Sequence, residues 1–291
     1  MKPNIIPRSF GTHDGPFHAD EITACSLLLL YDLIDRDKII RTRNQDELEK
    51  LEFVCDVGGI CDPDIKRFDH HQVDYKGTMS SAGMILKYLL KNKFMDEVLY
   101  GHINRSLVIG IDAIDNGLIT QRLGHCSFSG VITNFVPCDY GMDSAGLFKA
   151  FSIALDFAYG HIKRLQERFF YIKSCREFVN DSMKKGQDYL LFDEAMPWME
   201  NFFELEGESH PALFVVMPSG EFWKLRGIPP SFDQKMKVRQ PLPKHWAGLL
   251  EEDLKKVTNI PGAIFCHKGR FISIWKTKED ALKAFKLAVK K

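Results

Sequence analysis

The chain has 291 residues, 45% hydrophobic and 27% charged, and its 39 Lys plus Arg balance 39 Asp plus Glu. This is the composition of a soluble globular protein with one large domain or two ordinary ones. It excludes the large positive excess that grips nucleic acid without regard to sequence. The apolar run Leu27 to Leu30 falls far short of the roughly 20 residues that span a bilayer, so no membrane partner is expected. The N-terminal residues lack the apolar stretch of a signal peptide. Seven cysteines, at 25, 55, 61, 126, 138, 175 and 266, form no CxxC pair, which predicts reduced thiols and a cytoplasmic location.

In chain order, residues 5–11 predict an opening strand, followed by a helix from Asp20 with Ile22, Cys25, Leu29 and Leu33 at helical spacing. Lys38 to Arg43 and Phe53 to Cys55 predict two more strands, the latter ending at Asp56 and broken by Gly58-Gly59. Ser80 or Ser81 can cap a helix carrying Met84, Ile85, Tyr88 and Leu89, and Val98 to Ile114 continues helical up to Asn116-Gly117. This alternation predicts an α/β fold with a parallel sheet and helices on both faces. From Asp143 to Lys185 a long helix is expected, broken near Gly160. Beyond it come two hairpins, around Pro218-Ser219-Gly220 and Lys268-Gly269, and a last helix from Lys278 with Ala281, Phe285 and Ala288 on one face. The expected domains are 1–187 and a smaller α+β domain, 188–291.

Four segments supply metal-type side chains: Gly11 to Glu21 (with His13, Asp14, His18, Asp20 and Glu21), Asp56, Asp69-His70-His71, and Asp112 with Asp115. Singly each has a duller role, since an Asp at a strand end is commonly a cap or turn residue and adjacent histidines can be a surface pair. Together they follow strands or apolar runs, and a parallel sheet gathers such positions beyond its carboxyl edge. Mixed oxygen and imidazole donors suit Mn²⁺, with Mg²⁺, Co²⁺ or Zn²⁺ as alternatives. Carboxylates shared by two ions form the two-metal site of phosphoryl hydrolysis.

The order of these segments resembles the DHH phosphoesterase superfamily, named for the triplet found here as Asp69-His70-His71. A closer resemblance is to the MYG (melanocyte-proliferating-gene) family, through Gly11-Thr12-His13-Asp14-Gly15 to Glu21, Val54 to Gly59, Arg67 to Gln72 and Asp112 to Gly117. The resemblance implies a DHH-type N-terminal domain with His13, His18, Asp20, Asp56, His70 and Asp112 as metal ligands. His18 stands where the superfamily usually has Asp. Asp56 would be shared between two ions, His70 and His71 would bind metal and polarise a phosphate oxygen, and Asp69 would orient a histidine or hold the second metal. Asp112 is preferred as the fourth-segment ligand because it follows the apolar run Leu107 to Ile111, with Asp115, one helical turn on, as its alternative. Asp14 and Glu21 are left as outer supports of the site or helix-start carboxylates.

In the second domain Lys235, Lys237 and Arg239, interleaved with aromatic residues, are the expected substrate contacts. The function implied is a metal-dependent phosphodiester hydrolase, a 3′–5′ exonuclease on RNA or short oligonucleotides. The site chemistry alone also admits a small-molecule phosphatase or pyrophosphatase, or a metal-binding protein without turnover, and a homo-oligomer is left open.

Overall fold

A computed structural model describes residues 4–120, 122–139 and 141–290. Two compact units divide within a helix, at Met1–Phe169 and Phe170–Lys291. The sequence expectation put the change near residue 187, where the turn chemistry alters. The packing changes earlier, because the helix before that point already serves the second unit.

The first unit contains β1 (Ile6–Thr12), α1 (Ala19–Leu30), β2 (Ile39–Arg41), α2 (Gln45–Leu48), β3 (Leu51–Cys55), β4 (Cys61–Asp62) and β5 (Arg67–Phe68). It continues through α3 (Ser81–Lys91), α4 (Glu97–Ile103), a π-helical turn (Asn104–Val108), α5 (Ile109–Asp115), α6 (Phe128–Thr133) and most of α7 (Ser144–Ser174). The sheet order is β2-β1-β3-β5-β4, parallel except for the two-residue edge strand β4. Phe10, Phe53 and Phe68 join α1, α3 and α7 in the main core, while Leu51 and Val54 meet Leu48 of α2 in a separate small cluster. α7 runs unbroken through Gly160 and ends at Ser174. One glycine in so long a helix costs only about 1 kcal/mol, and the burial of Phe151, Leu155, Ala158 and Ile162 outweighs it.

The second unit holds α8 (Arg176–Lys184), β6 (Tyr189–Leu191), α9 (Met199–Glu204), β7 (Phe214–Ser219), β8 (Phe222–Gly227), α10 (Glu251–Thr258), β9 (Ala263–Cys266), β10 (Ile272–Trp275) and α11 (Lys278–Val289). Its sheet, β6-β7-β8-β10-β9, is antiparallel except for β6–β7. Trp246 and Trp275, with ring centroids 5.8 Å apart, anchor the core beneath α10 and α11. No described helix is long and apolar enough to cross a membrane.

The Arg239 guanidinium, expected on sequence to meet substrate, is taken up by the chain's own carbonyls in this fold. Its Nε donates to the Pro229 carbonyl (3.1 Å), Nη1 to His210 (2.5 Å) and Ala212 (3.0 Å), and Nη2 to Gly207 (2.6 Å) and Glu208 (3.4 Å). A guanidinium has five N–H donors, and all five are taken by the chain itself. Of its neighbours, Lys237 donates to Gln234 (2.9 Å) and Lys235 lies 3.7 Å over the Phe232 ring. Arg239→Ala is therefore expected to lower unfolding free energy by about 2–4 kcal/mol, against less than about 0.5 kcal/mol for the exposed Lys235→Ala. Urea denaturation of the two variants measures both, and an undestabilised Arg239→Ala would contradict the structural role.

Candidate metal centre

The site lies at the carboxyl edge of the first sheet. β1 delivers His13, β3 delivers Asp56, and β5 delivers the Asp69-His70-His71 triplet, while α1 and α5 supply Asp20, Glu21 and Asp115. Asp56 has φ 58° and precedes Gly58 (96°) and Gly59 (69°). These left-handed conformations, which Asp tolerates better than bulkier residues, turn the chain sharply beyond β3.

Three overlapping groups of side chains can each hold a cation, their donor atoms lying within 4.8 Å of one another: His13, His18, Glu21 and Asp56; Asp56, His70 and His71; and His18, Asp20 and Asp115. Asp56 and His18 each belong to two groups. Asp20 is wholly buried, and neither of its oxygens has a hydrogen-bond partner among the described residues. Burial pushes its carboxyl well above the usual carboxylate range, and Glu21, Asp56 and Asp115 add to the rise. Asp56 Oδ1 and His70 Nε2 are also buried without an aligned hydrogen bond, although His70 Nε2 lies 3.1 Å from Asp115 Oδ2 and 3.3 Å from Asp56 Oδ1. Buried polar atoms are ordinarily paired. Orphaned carboxylate oxygens facing imidazole nitrogens fit a divalent cation, and the mixed donor set suits one such as Mn²⁺.

The imidazoles are oriented from behind. Nδ1 of His13 is 2.8 Å from the Asp14 carbonyl, Nδ1 of His71 is 2.8 Å from Asp69 Oδ1, and Nδ1 of His70 is 3.3 Å from Asn116 Oδ1. Asn116 donates its amide to the carbonyls of Asp112 (2.9 Å) and Thr78 (3.2 Å), which leaves its oxygen to accept from His70. Each Nδ1 proton thus goes to an oxygen, and on His13 and His70 Nε2 is the nitrogen left for a cation, as metal-binding histidines are commonly arranged. Burial lowers the proton affinity of His13, but Asp56 and Glu21 outweigh it and raise its pKa to about 10. Burial likewise opposes a proton on His70, and Asp115 and Asp56 prevail, again to about 10. The same histidines hold the Asp56 carboxyl below its ordinary range against the opposing effect of burial.

The family model MYG1_exonuc, described as "Uncharacterised protein family (UPF0160)", matches residues 9–289. The chain belongs to this family. The MYG1 protein of Chlamydia trachomatis serovar D is 50% identical over 285 residues, covering 98% of each chain. The human protein named MYG1 exonuclease is 31% identical over 325 residues, covering 96% of this chain and 85% of that one. Among solved structures, RecJ in complex with Mn²⁺ from Thermus thermophilus aligns at a TM-score of 0.27 and 13% identity. That alignment covers 97% of this chain and 51% of that one, so this chain spans about half of it. A likeness so slight carries no functional weight.

In this MYG1-family chain the fourth segment turns a different carboxylate to the centre from the one preferred on sequence. Asp112 is buried, and its Oδ1 accepts from Ser80 N (3.0 Å), Ser80 Oγ (2.7 Å) and Gly83 N (3.1 Å). It fastens the start of α3 to α5, and a Cβ on Gly83 would strike its other oxygen. Asp115 is the residue beside His18, Asp20 and His70. Glu21 stands inside the first group and also accepts from His18 N (2.9 and 3.0 Å), so it serves both helix start and site. Asp14 is exposed and paired with Arg43 (3.0 Å), outside all three groups. Asp69 receives Gly59 N (2.6 Å) and His71 N (3.1 Å) as well as the His71 ring.

Two supporting residues escaped the sequence reading. Asn116 was read as a helix terminator and as part of the Asp112 to Gly117 segment but given no role at the site, although its place beside a candidate ligand was a usable signal. Arg41 lies 4.8 Å over the Phe151 ring and 5.6 Å over Phe17, and donates to the Gly15 carbonyl (2.5 Å), pinning the loop that carries His13 and His18.

The two aspartates of α5 are expected to separate experimentally. Asp112→Asn should lower apoprotein stability by about 1–3 kcal/mol through its buried hydrogen bonds. Asp115→Asn should instead weaken Mn²⁺ binding and leave apoprotein stability unimpaired. Asn116→Ala should weaken Mn²⁺ by about 10–100-fold, the range for supports of metal ligands. Calorimetric titration and thermal unfolding of the three variants decide it, and weaker Mn²⁺ binding by Asp112→Asn alone would reverse the assignment.

Proposed function

We propose that this protein is a divalent-metal-dependent phosphodiester hydrolase that removes nucleotides from the 3′ end of RNA or short oligonucleotides. The observation that carries the reading is Asp56, common to two candidate cation groups, beside the buried and unpartnered Asp20. Asp56 would be held in common by two ions, one with His13, His18 and Glu21 and the other with His70, which leaves His71 for the phosphate. Asp20 and Asp115 would complete the set. Two Mn²⁺ ions, or Mg²⁺, Co²⁺ or Zn²⁺ in their place, would supply positive charge against the phosphoryl group and acidify water.

The remaining chemistry belongs to side chains. His71 is 65% exposed, and with Nδ1 tied to Asp69 it is placed to hold a phosphate oxygen through Nε2. His18 is also exposed, so the donors do not close around a cation as four ligands of a structural site would. This openness favours turnover over metal storage. A cavity of about 330 Å³, lined by residues including His18, Asp56, His71, Asp115, Ser129 and Thr133, adjoins the donors. Ligand pockets run from roughly 300 to 1,000 Å³, so this one suits a terminal nucleotide better than a strand threaded through. The same small volume is what favours the second reading, a small-molecule phosphatase or pyrophosphatase. A cytoplasmic setting is part of the proposal, supported by seven free thiols.

Incubation of the Mn²⁺-loaded protein with 5′-labelled single-stranded RNA is the direct test. Progressive shortening of the labelled strand is expected. Immediate release of labelled mononucleotide would reverse the polarity, and turnover of pyrophosphate but not RNA would put the second reading first. Asp56→Ala should abolish hydrolysis and lower the metal content, and normal turnover in that variant would overturn the shared-ligand role.

A further inference from the structure

The sheet of the second unit has two unlike faces. α10 and α11 cover one, over Leu225 and Trp275. On the other, a second cluster including α8 and α9 residues buries Leu190 of β6 and Val215 and Met217 of β7, and goes no further across the strands. Residues two apart on a strand share a face, so Lys224 and Arg226 of β8 continue this one. The register sets Lys224 between Met217 and Ile274, Arg226 between Val215 and Ile272, and Phe265 of β9 beside Ile274. Phe222, also on this face of β8, is 41% exposed. Phe222, Phe265, Ile272 and Ile274 are not packed against any of the described core clusters.

Lys224 and Arg226 are half-buried, and neither has a hydrogen bond or ion pair with any described residue. Burial pulls both below their ordinary pKa values, and Arg226 adds to the effect on Lys224. Some other cations of this unit are matched, Lys278 with Asp193 (2.6 Å), Arg176 with Glu204 (2.7 Å) and Arg239 with carbonyls, and the unmatched lysines outside this face, such as Lys268 and Lys283, are exposed or lie off the sheet. Partly desolvated like charges standing side by side without a counter-ion are unfavourable, and a bound anion would remove the cost. The neighbouring uncovered phenyl rings distinguish between polyanions, because every nucleobase has a π-face to stack and an acidic peptide has none.

We infer that the open face of β8, β10 and β9 binds single-stranded nucleic acid, with Lys224 and Arg226 on phosphates and Phe222 and Phe265 beneath bases. The inference rests on the nuclease reading for its substrate class, and it moves recognition away from Lys235, Lys237 and Arg239. The test titrates the full-length, Mn²⁺-loaded protein into a labelled phosphorothioate single strand, which resists cleavage, across a salt series. Wild type should bind the single strand more tightly than polyglutamate of equal charge. In Lys224→Gln/Arg226→Gln the slope of log affinity against log salt should become shallower by about 1.4, from roughly 0.7 per phosphate contact. Lys224→Arg should keep the wild-type slope, and Phe265→Leu should weaken binding about tenfold with the slope unchanged. No binding by wild type, an unchanged slope in the double variant, or equal affinity for polyglutamate would overturn the inference. Cleavage of ordinary RNA by wild type, measured in parallel, keeps the two readings apart. Cleavage with an unchanged slope removes the face alone, and the expected slope change without cleavage removes the nuclease reading alone.

Discussion

A carboxylate sealed from water with no hydrogen-bond donor is among the most costly things a protein can bury, and Asp20 is one. Its neighbours deepen the problem, because Glu21, Asp56 and Asp115 are all acidic. The first unit is built to hold this concentration of negative charge in place. Parallel strands bring three loops to one edge, a left-handed Asp56 turns the chain at β3, and each of three imidazoles has its Nδ1 on an oxygen. Protons on His13 and His70 partly neutralise the site when no metal is there. A divalent cation does so more completely, and that exchange of protons for metal is the electrostatic logic of the centre.

Much of this was legible because the local signals were strong. Strand, turn and helix start are written together in Gly11 to Glu21, and Cys55-Asp56 followed by Gly58-Gly59 marks a strand end where a side chain can turn into a crevice. Hydrophobic spacing was enough to find α1, α3 and α11. It could not choose between Asp112 and Asp115, which lie one helical turn apart after the same apolar run. That choice depends on Ser80 and Gly83, about thirty residues earlier, which take Asp112 as their acceptor. Periodicity also cannot say whether a lone glycine breaks a helix, and burial along α7 carried it through Gly160.

The basic residues of the second unit show a different limit. A sequence counts cations, whereas recognition depends on which of them are unpaired. Arg239 sits in the most basic-looking stretch and is consumed by main-chain carbonyls. Lys224 and Arg226, at the start of the same basic stretch, have no hydrogen bond or ion pair among the described residues. Such a distinction arises only when the chain folds back on itself, because the partners of Arg239 are up to 32 residues away.

The π-helical turn at Asn104–Val108, between α4 and α5, bears on how this site can vary. Each residue of an α-helix advances the azimuth by about 100°, and a π-turn accommodates one residue more than an α-turn would. The rotational phase of α5, and with it the inward aim of Asp115 and Asn116, is therefore set by the number of residues upstream and not only by their identity. Leu107 and Val108 are buried, so the turn is locked between packed side chains. Substitutions within it can be absorbed by repacking, but a single deletion would dial the helix round and carry a carboxylate and an imidazole support off target together. For this part of the protein, chain length is itself a functional parameter.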